Sequence, residues 1–254
     1  KQKTAYEMLR SLVGSEMCIR DRLYIQVKKR ITESLVRSEW SPGESIPSEI
    51  ELAKKYNVSQ GTVRKAIDDL ASDKILIRRQ GKGTYVSTHN EENIQLRFLR
   101  LTEKSGKKEK LENKLISFEK EKAGNQIAKS LGINSSSTLI SIKRLLTFNG
   151  RPLILDLIKI PTSYFRGLTP EKVIEKSGSM YRMYEVDFGI QMLHADEKIK
   201  AVGSSNESSA LLNVSEGYPL LSVERLSYTY DNKPIEWRLG LCLTLDHYYK
   251  TELE

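Results

Sequence analysis

The chain has 254 residues, 39% hydrophobic and 29% charged, with a formal net charge of +8 and a sequence pI near 9.3. That length holds a small domain and a larger one, and no apolar run approaches the roughly 18 residues that a membrane-crossing helix needs. Two cysteines make no disulfide framework, so a cytoplasmic location is expected, and the basic balance favours an acidic partner such as nucleic acid.

Residues 1–22 do not join the pattern that follows them. Ser11 to Arg22 is similar to the translated read-through of a sequencing adapter, so this segment is expected to be non-native and outside the fold. From Leu23 the spacing becomes regular. Leu23, Val27, Ile31 and Leu35 step by four, which predicts a helix with one buried stripe. Trp40 to Pro47 is a loop punctuated by Pro42 and Gly43. Ser48 is placed to cap a helix over Glu49 to Asn57, with Ile50, Ala53 and Tyr56 as its expected buried face. Only Asn57, Val58 and Ser59 separate it from a further helix, whose Val63, Ala66, Ile67 and Leu70 share one apolar face. That short joint is the mark of a helix-turn-helix. Ile75 to Val86 then reads as strand, Gly-rich tip and strand.

The second helix of this pair has what a major-groove reader needs. Gln60, Gly61, Thr62 and Arg64 lie at or near its start, behind the Ser59 cap. Arg78, Arg79, Gln80, Gly81 and Lys82 form the hairpin tip, where glycine lets backbone approach a phosphate. With Ser48 and Glu49, these twelve residues are the expected DNA face. Residues 23–88 hold 12 Lys/Arg against 8 Asp/Glu, a modest excess that favours a dimer for affinity.

The residues Leu23 to Val27, Pro42-Gly43, Ile46 to Glu49, Leu52-Ala53, Val58-Ser59, Thr62 to Arg64 and Gly81 to Thr84 resemble the winged helix-turn-helix of the GntR family of bacterial transcription regulators. Two positions depart from that pattern: Ile50 and Gln60 stand where the family commonly has arginines that reach bases. An operator sequence therefore does not carry over by analogy.

Residues 89–95 read as a polar linker, and residues 96–254 as a second domain. Leu115 to Phe118 is a short strand, and Ala123 to Leu131 a helix stopped by Gly132. Leu139–Phe148 and Leu153–Ile160 form a hairpin about Asn149-Gly150. Helices follow from Pro170 and from Ser179 to Tyr184, then a strand over Ala195–Val202 and a helix over Ser205–Leu212. Leu220–Tyr230 and Ile235–Leu245 make a second hairpin about Asp231-Asn232. The hairpins look alike: Arg144 with Asp156 in one parallels Arg225 with Glu236 in the other, which predicts a repeated antiparallel sheet of α+β class.

This remainder resembles the UTRA effector domain of the HutC subfamily of GntR regulators. The likeness rests on the Ala/Leu-Gly helix, Arg144 with Gly150 and Pro152, Ile160-Pro161, Ser179 with Tyr181, and Pro234 to Glu236. It implies a chorismate-lyase-like fold and an effector site in which Arg144, Ser179 and Tyr181 hold a phosphate while Asp156 and Glu236 hold a sugar. Leu146 departs from it, standing where phosphosugar readers often carry a second arginine. Plainer roles stand beside these: a surface ion pair for Arg144, a helix cap for Ser179, and strand-edge charges for Asp156 and Glu236.

One geometric condition follows from the first hairpin. With a strict two-residue turn, Arg144 faces Leu155 and Asp156 points to the other side. The two share a pocket only if the hairpin carries a bulge or an odd loop.

Catalysis finds little in the sequence. His89, His194 and His247 have no nucleophile at a recognisable spacing, no metal-ligand cluster stands out, and Asp187-Phe-Gly189 is an isolated tripeptide. Neither cofactor nor metal is expected. The favoured reading is a ligand-responsive repressor of a carbohydrate operon that binds an inverted-repeat duplex as a homodimer and answers to a sugar phosphate or related metabolite. The competing readings are a lyase-like enzyme fused to a DNA-binding module and a constitutive DNA-binding protein.

Overall fold

A computed structural model describes residues 23–37, 39–88, 100–104, 111–175 and 180–251. Residues 1–22, the 89–95 linker and Ser179 lie outside the described residues. The chain forms two compact units that divide at Thr88.

In the first unit, α1 (23–36) turns Val27, Ile31 and Leu35 inward, as their four-residue spacing dictates. α2 (Glu49–Tyr56) starts in a capping box: the Ser48 hydroxyl accepts from the Glu51 N–H, and the Glu51 carboxylate accepts from the Ser48 N–H. α2 ends at Asn57, whose left-handed backbone (φ 54°) turns the chain into α3 (Gln60–Ser72). α3 buries Val63, Ala66, Ile67 and Leu70. The expected face of α2 is corrected. Leu52 is the fully buried residue, Ala53 and Tyr56 are half-buried, and Ile50 is 55% exposed. Two residues are about 200° around a helix, so Ile50 cannot share the side that Leu52 turns to the core.

The hairpin pairs β1 (Leu76–Arg79) with β2 (Gly83–Val86), with Arg79 opposite Gly83. The loop at Gly43 to Ile46 lies alongside β2, through Gly43 N–H to the Val86 carbonyl, Val86 N–H to the Glu44 carbonyl and Ile46 N–H to the Thr84 carbonyl. The wing is thereby anchored to the stretch between α1 and α2.

The second unit is built on a six-stranded antiparallel sheet of order β4-β5-β6-β9-β8-β7. Its strands are β4 (Leu111–Lys122), β5 (Thr138–Phe148), β6 (Arg151–Pro161), β7 (His194–Gly203), β8 (Pro219–Thr229) and β9 (Lys233–Cys242). Two three-strand meanders meet at β6 and β9, so the order is the same read from either edge. In each meander a helix precedes the second strand: α4 (Gly124–Leu131) and α7 (Asn206–Leu212). The repeat expected from the two hairpins is thus a repeat of the whole half-sheet. A separate ribbon pairs β3 (Leu101–Glu103) with β10 (His247–Tyr249).

The sheet has an apolar layer on each side, because alternate residues point to opposite faces. One side holds Leu139, Leu145, Leu155 and Trp237 beneath α4 and α7. The other holds Ile140, Ile142, Ile158 and Ile160 against α6 (Met180–Phe188), preceded by α5 (Pro170–Glu175). β4 is longer than the four residues expected, because Glu119 to Lys122 continue it at the edge of the sheet with charged side chains on both faces. Among the described residues, no helix is long and apolar enough to cross a membrane.

Candidate nucleic-acid interface and ligand pocket

The first unit presents α3 and the wing tip together. Gln60, Gly61 and Arg64 are exposed on α3, as are Arg78, Arg79, Gln80, Gly81 and Lys82 on the wing. Positive φ at Gly81 (70°) and Gly83 (106°) gives the tip its bend. The Arg79 guanidinium lies 4.4 Å from the centroid of the Tyr85 ring, and the Tyr85 hydroxyl donates to the Lys82 carbonyl at 3.1 Å. Ser59 caps α3 through the Thr62 N–H, and its hydroxyl pairs with that of Thr62 at 2.8 Å. Thr62 is 9% exposed, so its hydroxyl serves the cap and the interior. Ser48 likewise serves the cap of α2.

Glu49 gathers this face. Gln60 Nε2 donates to its carboxylate at 3.2 Å, Arg64 Nε at 3.0 Å and Arg78 Nη1 at 3.0 Å. Arg64 Nη2 reaches the same carboxylate oxygen, Oε2, at 2.9 Å. The bonds from Arg64 foremost hold the Glu49 carboxyl below the usual carboxylate range.

In the second unit the hairpin condition is met. Leu146 pairs with Ile154 and Thr147 with Pro152, so the bulge at Leu153 shifts the register by one. Arg144 and Asp156 become cross-strand partners on one face. Arg144 Nε donates to Asp156 Oδ2 at 3.0 Å, and Arg238 Nε donates to Oδ1 at 2.9 Å. Asp156 is fully buried between the two guanidiniums.

Glu236 is also buried. It accepts from the Tyr181 hydroxyl at 2.8 Å, the Tyr184 hydroxyl at 2.9 Å and the Ser227 hydroxyl at 3.3 Å. Burial, and then the Glu236 charge, push both phenols above their ordinary range, so both stay protonated as donors. Arg225 reaches Tyr181 Oη at 3.3 Å and donates through Nε to Glu197 at 2.6 Å; the Tyr249 hydroxyl donates to the same carboxylate. Burial opposes the charge of Arg238, but the carboxylates of Asp156 and Glu236 outweigh it and its pKa is raised.

The structure therefore brings Arg144 to Asp156 and Tyr181 to Glu236 in one polar layer. A shallow, open pocket lies beside that layer, lined by Arg100, Asp156, Arg225, Arg238, Cys242 and Tyr249 among others. Among the described residues of the expected effector set, Asp156 alone lines it; Arg144, Tyr181 and Glu236 are buried. The proposed parallel between Asp156 and Glu236 is corrected, because Arg238 occupies the position matching Asp156. Counted from the proline that follows each turn, Pro152 or Pro234, Asp156 and Arg238 both stand four residues on, whereas Glu236 stands only two. Sequence reasoning read Arg225 only as the repeat of Arg144 and left Arg238, Tyr184 and Glu197 out of the site. The alternation Glu236, Arg238, Gly240, Cys242 is a period-two signal that places Arg238 on the Glu236 side.

Burial pushes the Cys242 thiol up to about 12, which leaves it un-ionised at neutral pH and a poor nucleophile. Among the described residues, no three His, Cys, Asp or Glu side chains are placed to hold a metal ion.

Comparison with known proteins agrees with both units. Residues 23–86 match the family described as bacterial regulatory proteins, gntR family, and residues 106–247 match the UTRA domain. The chain is similar to the HTH-type transcriptional regulator YurK of Bacillus subtilis, with 32% identity over 87% of this chain and 91% of that protein. It is 29% identical, over 84% of this chain and 87% of the relative, to a Shigella flexneri protein named as a fructoselysine utilization operon transcriptional repressor. The ligand-binding domain of a GntR-family transcriptional regulator from Bordetella bronchiseptica superposes with a TM-score of 0.60 at 37% identity, over 62% of this chain and 98% of that one. With a helix-turn-helix head and a ligand-domain sheet both matched, the chain belongs to the gntR family of bacterial regulatory proteins and carries a UTRA domain.

Proposed function

We propose that this regulator represses a carbohydrate uptake or catabolic operon, reads an inverted-repeat duplex as a homodimer, and responds to a sugar phosphate or related small metabolite. The observation that carries the DNA assignment is the shared exposure of Gln60, Gly61 and Arg64 with the cationic wing tip at Arg78, Arg79 and Lys82. A helix start aimed at base edges beside a basic hairpin suits a major groove flanked by phosphates. Two-fold symmetry in the protein would impose an inverted repeat on the operator. Arg64→Ala is expected to weaken binding to a duplex selected by the wild-type protein by about 1–3 kcal/mol if Arg64 reads a base. If it holds only phosphate, all duplexes weaken alike and the salt slope falls, as fluorescence anisotropy over a salt series would show.

Support for the effector comes from the pocket. Arg100, Arg225 and Arg238 offer planar donors for an anionic group, and Asp156 offers an acceptor for hydroxyl or amine hydrogens. The Shigella relative is named for fructoselysine, a sugar derivative. A binder at a hundred times its Kd stabilises by about 2.7 kcal/mol, which raises the melting point of a domain this size by roughly 5–10 °C. Thermal unfolding against sugar phosphates, free sugars and small carboxylates tests this. A shift with the phosphates supports the assignment. No shift in any class would favour a constitutive DNA binder, and turnover of a carboxylated ring would favour an enzyme.

A further inference from the structure

We infer that Glu49 is the positioning residue of the DNA-reading face, and that it raises affinity for the correct duplex although it places a negative charge among the DNA-facing cations. The inference rests on the assignment of α3 and the wing to DNA. Two separate elements supply its donors: α3, with Gln60 at its start and Arg64 one turn on, and β1, with Arg78. All three meet a single carboxylate whose side chain is only 15% exposed, while the side chains of Arg64 and Arg78 are 58% and 41% exposed. Glu49 is therefore sheltered, and the ends of the cations it holds are not.

The bonding leaves the arginines usable. Arg64 commits Nε and Nη2 to Glu49. A guanidinium carries five N–H donors, so three remain for a base edge or a phosphate. Arg78 places Nη1 on Glu49 at 3.0 Å and Nη2 on Asp68 at 2.6 Å, so two carboxylates fix its plane. Glu49 also sits at the first position of α2, where the helix dipole favours an anion. Free arginines of this length sample many rotamers and lose that freedom on binding. A base-reading pair already fixed loses less, and only a correctly spaced duplex uses the fixed geometry. Sequence-independent binding follows charge alone and gains nothing from the arrangement.

Glu49→Gln tests this in the full chain, with a duplex selected by wild-type protein from a random pool and unselected pool duplex as the second probe. The variant is expected to bind the selected duplex about tenfold more weakly and the pool duplex equally or more tightly. In an R64A/R78A background E49Q should leave the ratio of the two affinities unchanged. The inference is overturned if E49Q tightens both duplexes alike or leaves the ratio as it was, because Glu49 is then a plain repulsive charge. It is overturned also if both affinities fall together with the melting temperature, which marks a folding role. A full effect in the R64A/R78A background means that Glu49 touches DNA itself, and also overturns it. Failure of wild-type protein to select any duplex would remove the DNA assignment, a result separate from these.

Discussion

Asp156→Ala is expected to destabilise the UTRA domain by about 3–5 kcal/mol, the cost of leaving buried charge without its partner. Asp156 has no exposed surface and lies between Arg144 and Arg238, with 6% of Arg144 exposed. Removing the carboxylate leaves two guanidiniums facing each other without their shared counter-ion, and neither can deprotonate to escape. Asp156→Asn keeps the volume and one acceptor, so it should fall between wild type and Ala. Denaturant unfolding of the full chain, followed by circular dichroism and by intrinsic fluorescence, reads the change. Trp237 lies in the sheet domain and Trp40 in the head, so two single-tryptophan variants separate the transitions. An unchanged Trp237 transition in Asp156→Ala would show that the arginines find water or other acceptors, and would end the view of Asp156 as their shared counter-ion.

Ile67→Ala in α3 should cost about 2–5 kcal/mol, through lost burial and the cavity left behind. Ile67 is completely buried, alongside Val63 and Leu70 on the same helix. A head of this size has only several kcal/mol to lose, because small domains bury a low fraction of their surface. The variant is expected to lose DNA binding at 37 °C while its sheet domain still unfolds at the wild-type temperature. Ile50→Ala is the control. With 55% of Ile50 exposed, this change should stay within about 0.5 kcal/mol of wild type. Equal losses from the two isoleucines would mean that α2 packs differently from the described arrangement.

These two isoleucines also show how far linear reading reaches. Both lie in periodic apolar patterns, and only one is core. α3 has thirteen residues, so its stripe repeats often enough to define a side. α2 has eight, and two candidate stripes fit it until a partner surface chooses Leu52. Caps and turns were legible for a simpler reason. Ser48, Ser59 and Ser205 bond to backbone within three residues, and Asn149-Gly150 takes the left-handed conformation that its own chemistry favours. Such signals involve neighbours in the chain and need nothing from the rest of the fold.

The pocket was legible only in part. Arg144, Asp156, Tyr181 and Glu236 all proved to be members of one buried polar layer, yet three of the four do not line the pocket. Arg225, legible only as the repeat of Arg144, and Arg238, opposite it on the outgoing strand, do line it, because cross-strand register and not the order of motifs decides which side chains meet.

Helix starts, turn positions, the division into a basic head and a sheet domain, and the apolar alternation of most strands follow from the linear chain alone. Those depend on contacts a few residues apart. The tertiary structure decided which charges meet. A bulge at Leu153 turned Asp156 to the side of Arg144, and the pairing of β6 with β9 brought in Arg238 from 82 residues away. Register between strands is set by packing across the whole sheet, and no local pattern in the chain encodes it.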